Sequence, residues 1–140
     1  MTAAEGPLRN RQQDHYRLQA FILSLCAAVV MFAPLIIIGD GVLFYYGDFN
    51  AQQIPFNMLC HRAVRAGDLF WSWTTDLGAN FIGSYAFYVI GSPFFWLMLP
   101  FPTWFVPYLL GPLLILKFAL AGLFAAMFIR RFVSSSTPAV

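Results

Sequence analysis

The sequence predicts an all-α integral membrane protein: two transmembrane helices, about 18–38 and 105–129, joined by a long outside loop. Three observations predict it. The 140-residue chain is 60% hydrophobic and only 10% charged, where a soluble domain carries roughly 25% charged residues. Two apolar runs are each long enough to cross a bilayer. The polar residues between them gather in short islands, Gly47–Gln52, Trp71–Trp73 and Asp76–Phe81. This length holds one membrane module over 1–140, with no separate soluble domain. A net charge of +2 without a basic tract leaves no footprint for nucleic acid.

The first span, Leu18 to Ile38, is apolar apart from Gln19 and Ser24. At 1.5 Å per residue it covers about 30 Å, the thickness of the hydrocarbon core. It is too long for a signal-peptide core and is followed by no small-residue cleavage site, so it reads as an uncleaved anchor. Pro34 is a candidate kink near its outer end. Arg9, Arg11 and Arg17 flank its start, whereas Asp40 and Asp48 follow it. Basic flanks stay in the cytoplasm, so the tail 1–17 is expected inside and the loop 39–104 outside. Met1 to about Gln13 and Ser134 to Val140 read as tails. Asp40, between Gly39 and Gly41, reads as a turn residue at the helix exit.

Within the loop, Pro55 to Ala66 reads as an amphipathic helix lying flat on the membrane. Phe56, Leu59, Cys60 and Ala63 share one face, Asn57, His61 and Arg65 the other, and Gly67 ends the run. Phe81 to Phe101 is uncharged and long enough to span. A third span would carry Arg130-Arg131 outside, against the charge rule. The stretch is also interrupted at Gly91-Ser92-Pro93 and crowded with aromatic rings, which favour the headgroup layer. An interfacial or re-entrant pair of helices is therefore favoured, with three transmembrane helices as the alternative. The last span runs from about Phe105 to Ile129, and Arg130-Arg131 begin a second cytoplasmic tail, 130–140.

Several residues are candidates for chemistry. Asp48 and Gln52 are four apart and would point the same way on a helical turn. A carboxylate just outside the bilayer can accept a proton from a hydroxyl or hold a divalent cation; the competing reading is a helix cap. Asp76 and Asn80 flank Gly78 and either line a pocket or stabilise the turn. Trp71 and Trp73 either stack on a sugar ring or sit in the aromatic belt. Lys117 lies mid-span, where an ammonium costs about 2.5–3.5 kcal/mol on insertion scales. It faces protein or water, snorkels, or holds a phosphate or acid partner. Cys26 and Cys60 are placed too differently to bridge and read as packing residues. His61 has no second histidine or cysteine to complete a transition-metal site beside Cys60. Ala121, Gly122, Ala125 and Ala126 give small-residue spacing suited to further helices of the same or another chain.

In order and spacing the chain resembles bacterial YfhO-type membrane proteins. The shared pattern is Gly47-Asp48-x3-Gln52, Trp71-Ser72, Leu77-Gly78-x-Asn80-Phe81-Ile82-Gly83, Tyr88, Ser92-Pro93-Phe94, Leu116-Lys117-x2-Leu120-Ala121-Gly122-Leu123 and Arg130-Arg131. The resemblance covers roughly Leu18 to Phe132. It implies the N-terminal part of a GT-C-like glycosyltransferase, an enzyme that takes sugars from polyprenyl-phosphate carriers to cell-envelope polymers outside the bacterial cytoplasmic membrane. It also implies Asp48 as the catalytic acid or base, with Gln52 beside it and Trp71, Asp76 and Asn80 lining the same outside cleft; Lys117 is added as a substrate-binding candidate from its mid-span charge. Family members continue for many more spans, so this chain is expected to be incomplete and inactive alone. The alternative is a non-catalytic small membrane subunit that binds a larger multi-span partner. A weaker third reading, a transporter fragment, is motivated by Lys117 and the broken segments.

Overall fold

A computed structural model describes the backbone of residues 5–43, 47–73, 75 and 77–132, with side chains from residue 15 onward. The chain is mostly helical. It divides into two compact units, 1–33 with 114–140, and 34–113. The division falls beside Pro34 in α1 (Glu5–Ile38) and close to Pro112 in α5 (Val106–Ile129). Each proline removes a backbone N–H from its helix. Two segments, His15–Ile38 and Thr103–Ile129, are long and apolar enough to cross a membrane, in agreement with the two spans read from the sequence. The expected tail up to about Gln13 is instead helical from Glu5. The expected tail 134–140 lies outside the described residues.

In the first unit α1 and α5 run antiparallel through a seam stepped in fours. Tyr16 meets Arg130, Ser24 faces Gly122, and Phe32 meets Phe118 with ring centroids 5.2 Å apart. Ala28 and Ala119 are buried along the same seam. The small residues let the backbones approach closely, as van der Waals packing between helices in lipid requires. A Cβ on Gly122 would overlap Ser24 Oγ and lie 2.5 Å from Ser24 Cβ. The outer faces stay apolar and bare, with Val30 76% and Phe128 62% exposed, as befits a surface solvated by acyl chains.

The second unit is the loop and the loop-side ends of both long helices. Asp40 leaves α1 in a left-handed turn (φ 51°), matching its expected role at the helix exit. A π-helical turn, Phe49–Gln53, leads into α2 (Ile54–Ala66). Gly67 stops α2 at φ 75°, its N–H reaching the carbonyls of Ala63 and Val64, a left-handed cap that glycine adopts without strain. Two short antiparallel strands follow, β1 (Trp71–Ser72) and β2 (Ala79–Asn80), a local departure from the helical expectation. The uncharged stretch from Phe81 does not form one continuous helix. It breaks into α3 (Phe81–Tyr85), a π-helical turn Ala86–Ile90, α4 (Pro93–Trp96) and further turns. The break falls at Gly91-Ser92-Pro93, as the sequence suggests, because Pro93 can open a helix but not continue one.

The core of this unit is Cys60, Phe81, Tyr85, Val89, Phe95, Met98 and Val106. The expected polar face of α2 needs correction, since Asn57 and His61 are buried with Cys60. Asn57 Nδ2 donates to the carbonyl of Gln53 (2.7 Å). His61 Nε2 lies 3.3 Å from the Met98 carbonyl and Nδ1 lies 2.9 Å from Thr103 Oγ1. A carbonyl only accepts, so Nε2 carries the proton and the Thr103 hydroxyl donates to Nδ1. One turn on, Arg65 donates to the Phe101 carbonyl (3.1 Å). His61 and Arg65 are thus spent on the 98–103 segment, and Asn57 on the preceding helical turn. Buried polar atoms are tolerable only when paired in this way.

Candidate functional site

Asp48 sits directly before the π-helical turn, with Gly47 at φ 88° preceding it and the N–H groups of Asn50 and Ala51 both reaching the Gly47 carbonyl. Its side chain makes no capping hydrogen bond and is exposed. The capping reading of Asp48 therefore has no hydrogen bond behind it here. Gln52 is half-buried, and Tyr88 Oη donates to its Oε1 at 2.5 Å. Tyr88 in turn lies edge-on to Phe56 of α2 at 5.7 Å. The polar island is thereby fastened to the loop core through Gln52, while the Asp48 carboxylate faces solvent. π-helical turns inside helices are frequent at functional sites.

The second island is the hairpin. Strand pairing sets Trp71 opposite Asn80 and Ser72 opposite Ala79. Two residues far apart in the sequence pattern are so brought into register. Trp71 and Trp73 meet edge to face at 5.6 Å over Gly78, which holds φ 102°. A Cβ at Gly78 would lie 3.1 Å from both indoles. Only glycine suits the backbone angle and leaves room for both rings. Asn80 caps α3, its Oδ1 accepting from the Gly83 N–H at 2.7 Å, and Ser84 Oγ donates to the Asn80 carbonyl. The turn-stabilising alternative for Asn80 is therefore in use. Thr75, buried behind the hairpin, joins Ser72 and Tyr85 through its hydroxyl. Asp76 lies outside the described residues.

Beside the hairpin a cleft of about 350 Å³ is lined by Leu59, Arg62, Ala63, Ala66, Asp68, Ser72 and Phe81. It pairs one cation and one carboxylate with a hydroxyl and an aromatic wall. Sequence reasoning missed Arg62 and Asp68. The available signal was the i, i+3, i+4, i+7 stripe of Leu59, Arg62, Ala63 and Ala66, which places the arginine on the face otherwise read as membrane-facing. Cys60, just behind the cleft wall, is wholly buried, and burial pushes its thiol from an ordinary 9.0 up to about 12. Cys26 is exposed on α1 rather than packed, and both cysteines are free.

Lys117 belongs to the other unit, on an exposed position of α5. Among the described residues no three His, Cys, Asp or Glu side chains come together as a metal site.

Neither a curated protein nor a solved structure matches the chain. A family model described as "Bacterial membrane protein YfhO" matches residues 20–139, from within α1 through the loop and the whole of α5. The chain is a membrane protein and belongs to the YfhO family.

Proposed function

We propose that the chain is the membrane module of a GT-C-like glycosyltransferase of the bacterial cytoplasmic membrane, with its N-terminus in the cytoplasm and the loop outside. Its donor would be a polyprenyl-phosphate sugar and its acceptor a hydroxyl of a cell-envelope polymer. The observation that carries this reading is the exposed Asp48 carboxylate, which makes no capping hydrogen bond at the start of a π-helical turn. As general base it takes the proton of the acceptor hydroxyl. The acceptor oxygen bonds to the sugar's anomeric carbon, and the bond from that carbon to phosphate breaks with its electrons on the phosphate. Gln52, held by Tyr88, fixes the segment that presents Asp48. Trp71 offers an indole face to a sugar ring, and Asn80, paired with it across the hairpin, offers a polar edge; Asp76 is assigned to substrate on the family resemblance alone. Arg62, Asp68 and Ser72 line a cleft with the donors and acceptors that sugar hydroxyls require. Lys117 is assigned to a phosphate or acid partner within the membrane.

The test is complementation of a strain lacking the gene, scored as polymer glycosylation, with any adjacent membrane protein supplied. Wild type is expected to restore glycosylation. Asp48→Asn, inserted to the same level, is expected to lose about 100-fold or more. Equal rescue by both would remove Asp48 from the chemistry. One observation favours a second reading, a non-catalytic subunit that docks a larger partner. The hairpin region exposes Phe70 (76%), Trp73 (78%) and Leu77 (97%), an apolar display suited to a protein or lipid surface. Under that reading Leu77→Asp would abolish function while Asp48→Asn would not.

A further inference from the structure

The terminal end of the helix pair contains a second built cleft, of about 520 Å³, lined by Tyr16 and Arg17 of α1 and by Phe124, Met127, Phe128, Arg130 and Arg131 at the end of α5. Three arginines contribute to its lining, and the described lining residues include no Asp or Glu. Arg130 is stacked over Tyr16, its guanidinium carbon 3.9 Å from the ring centroid. Stacking occupies the face of the guanidinium and leaves its N–H edges for a planar or tetrahedral anion.

The helix terminus explains part of this arrangement. The last carbonyls of α5 attract cations, and the backbone N–H groups of Arg130 and Arg131 close its final turns on Ala126 and Phe128. That attraction does not account for Arg17, which comes from the other helix and lines the same cleft. Nor does it account for the apolar wall of Phe124, Met127 and Phe128. Cations over an apolar wall, at the ends of two membrane-spanning segments, match an amphiphile with a phosphate head and acyl tails.

We propose that this cleft binds the phosphate headgroup of an anionic bilayer phospholipid, with Arg17, Arg130 and Arg131 on the phosphate and Phe124 and Phe128 along the glycerol and upper acyl carbons. Arginine suits phosphate because its fork of N–H donors can engage two oxygens at once. The site is independent of the loop chemistry proposed above, and it ties the ends of α1 and α5 to the negatively charged leaflet.

The full chain, reconstituted in nanodiscs of equal parts phosphatidylglycerol and phosphatidylcholine, would be extracted and its retained lipids counted by native mass spectrometry. Wild type is expected to retain phosphatidylglycerol over phosphatidylcholine. Arg17→Gln and Arg131→Gln are each expected to weaken that retention about fivefold. Arg62→Gln, which removes an arginine of the loop, is expected to leave it unchanged. Circular dichroism on each variant separates lost binding from lost folding, and Arg130→Lys, which keeps the charge, is expected to lose less than Arg130→Gln. Equal retention of both lipids would overturn the proposal, as would equal losses from Arg62→Gln. Displacement of phosphatidylglycerol by glycerol phosphate at matched concentration would overturn it too, and would reassign the cleft to a soluble phosphate.

Discussion

At the scale of single residues, the strongest constraints sit where backbone and side chain agree on one amino acid. Gly78 combines φ 102° with two indoles 3.1 Å from its would-be Cβ. Gly78→Ala is expected to cost about 1–3 kcal/mol and to shift tryptophan emission as Trp71 and Trp73 part. An unchanged melting profile and spectrum would refute the packing argument. Cys60 makes a different kind of prediction. Its thiol, raised by burial to about 12, stays protonated through neutral pH, so iodoacetamide should label it only after unfolding. The unfolded thiol ionises near 9 and the folded one near 12, so this group's share of stability is full below about pH 9 and is lost as pH rises toward 12. Labelling of folded protein at neutral pH at the unfolded rate would show that the site opens freely. Of the residue-level roles, the turn at Asp40 and the stop at Gly67 were legible in the sequence, because local sterics alone decide them. The engagement of Gln52 by Tyr88, 36 residues away, was not.

At the scale of elements, the α1–α5 seam turns on Ser24 and Gly122. Alanine is the better helix former by about 1 kcal/mol, but a methyl at 122 would overlap Ser24 Oγ, and overpacking costs about 1–3 kcal/mol. The clash wins on this arithmetic. Gly122→Ala is expected to lower the detergent-solubilised melting temperature. Adding Ser24→Gly, which removes both clashing atoms and leaves Ser24 Cα 3.9 Å away, is expected to restore much of the loss. Purely additive effects would argue against direct contact. The small-residue spacing at Ala121, Gly122, Ala125 and Ala126 announced a packing face in the sequence, but not that α1 takes part of it. The helix α2 shows the reverse. Its periodicity named an apolar and a polar face, yet the side assigned to water holds the buried Asn57 and His61. A polar side chain faces inward whenever an acceptor or donor awaits it, here the Met98 carbonyl and Thr103, and hydrophobic periodicity has no way to register such partners.

At the scale of the whole molecule, two spans put both chain ends on one side of the membrane. With the N-terminus in the cytoplasm, as proposed, a cysteine introduced at Ala51 should react with an impermeant maleimide in intact cells, in a background lacking Cys26 and Cys60. A fluorescent protein fused to either end should mature and fluoresce. Labelling at Ala51 only after lysis would reverse the orientation, and opposite behaviour of the two ends would require an odd number of crossings. The two membrane spans, the break at Pro93 and the family were legible along the chain, because apolar length, proline chemistry and ordered motif spacing are properties of neighbouring residues in one dimension. Which polar residues remain exposed was settled by folding. Asp48 stays outward while Asn57 and His61 are buried, Trp71 is set against Asn80, and Arg62 and Asp68 share a cleft. Each of these outcomes depends on a hydrogen-bonding or packing partner brought close by folding, and burial is favourable only where such a partner arrives.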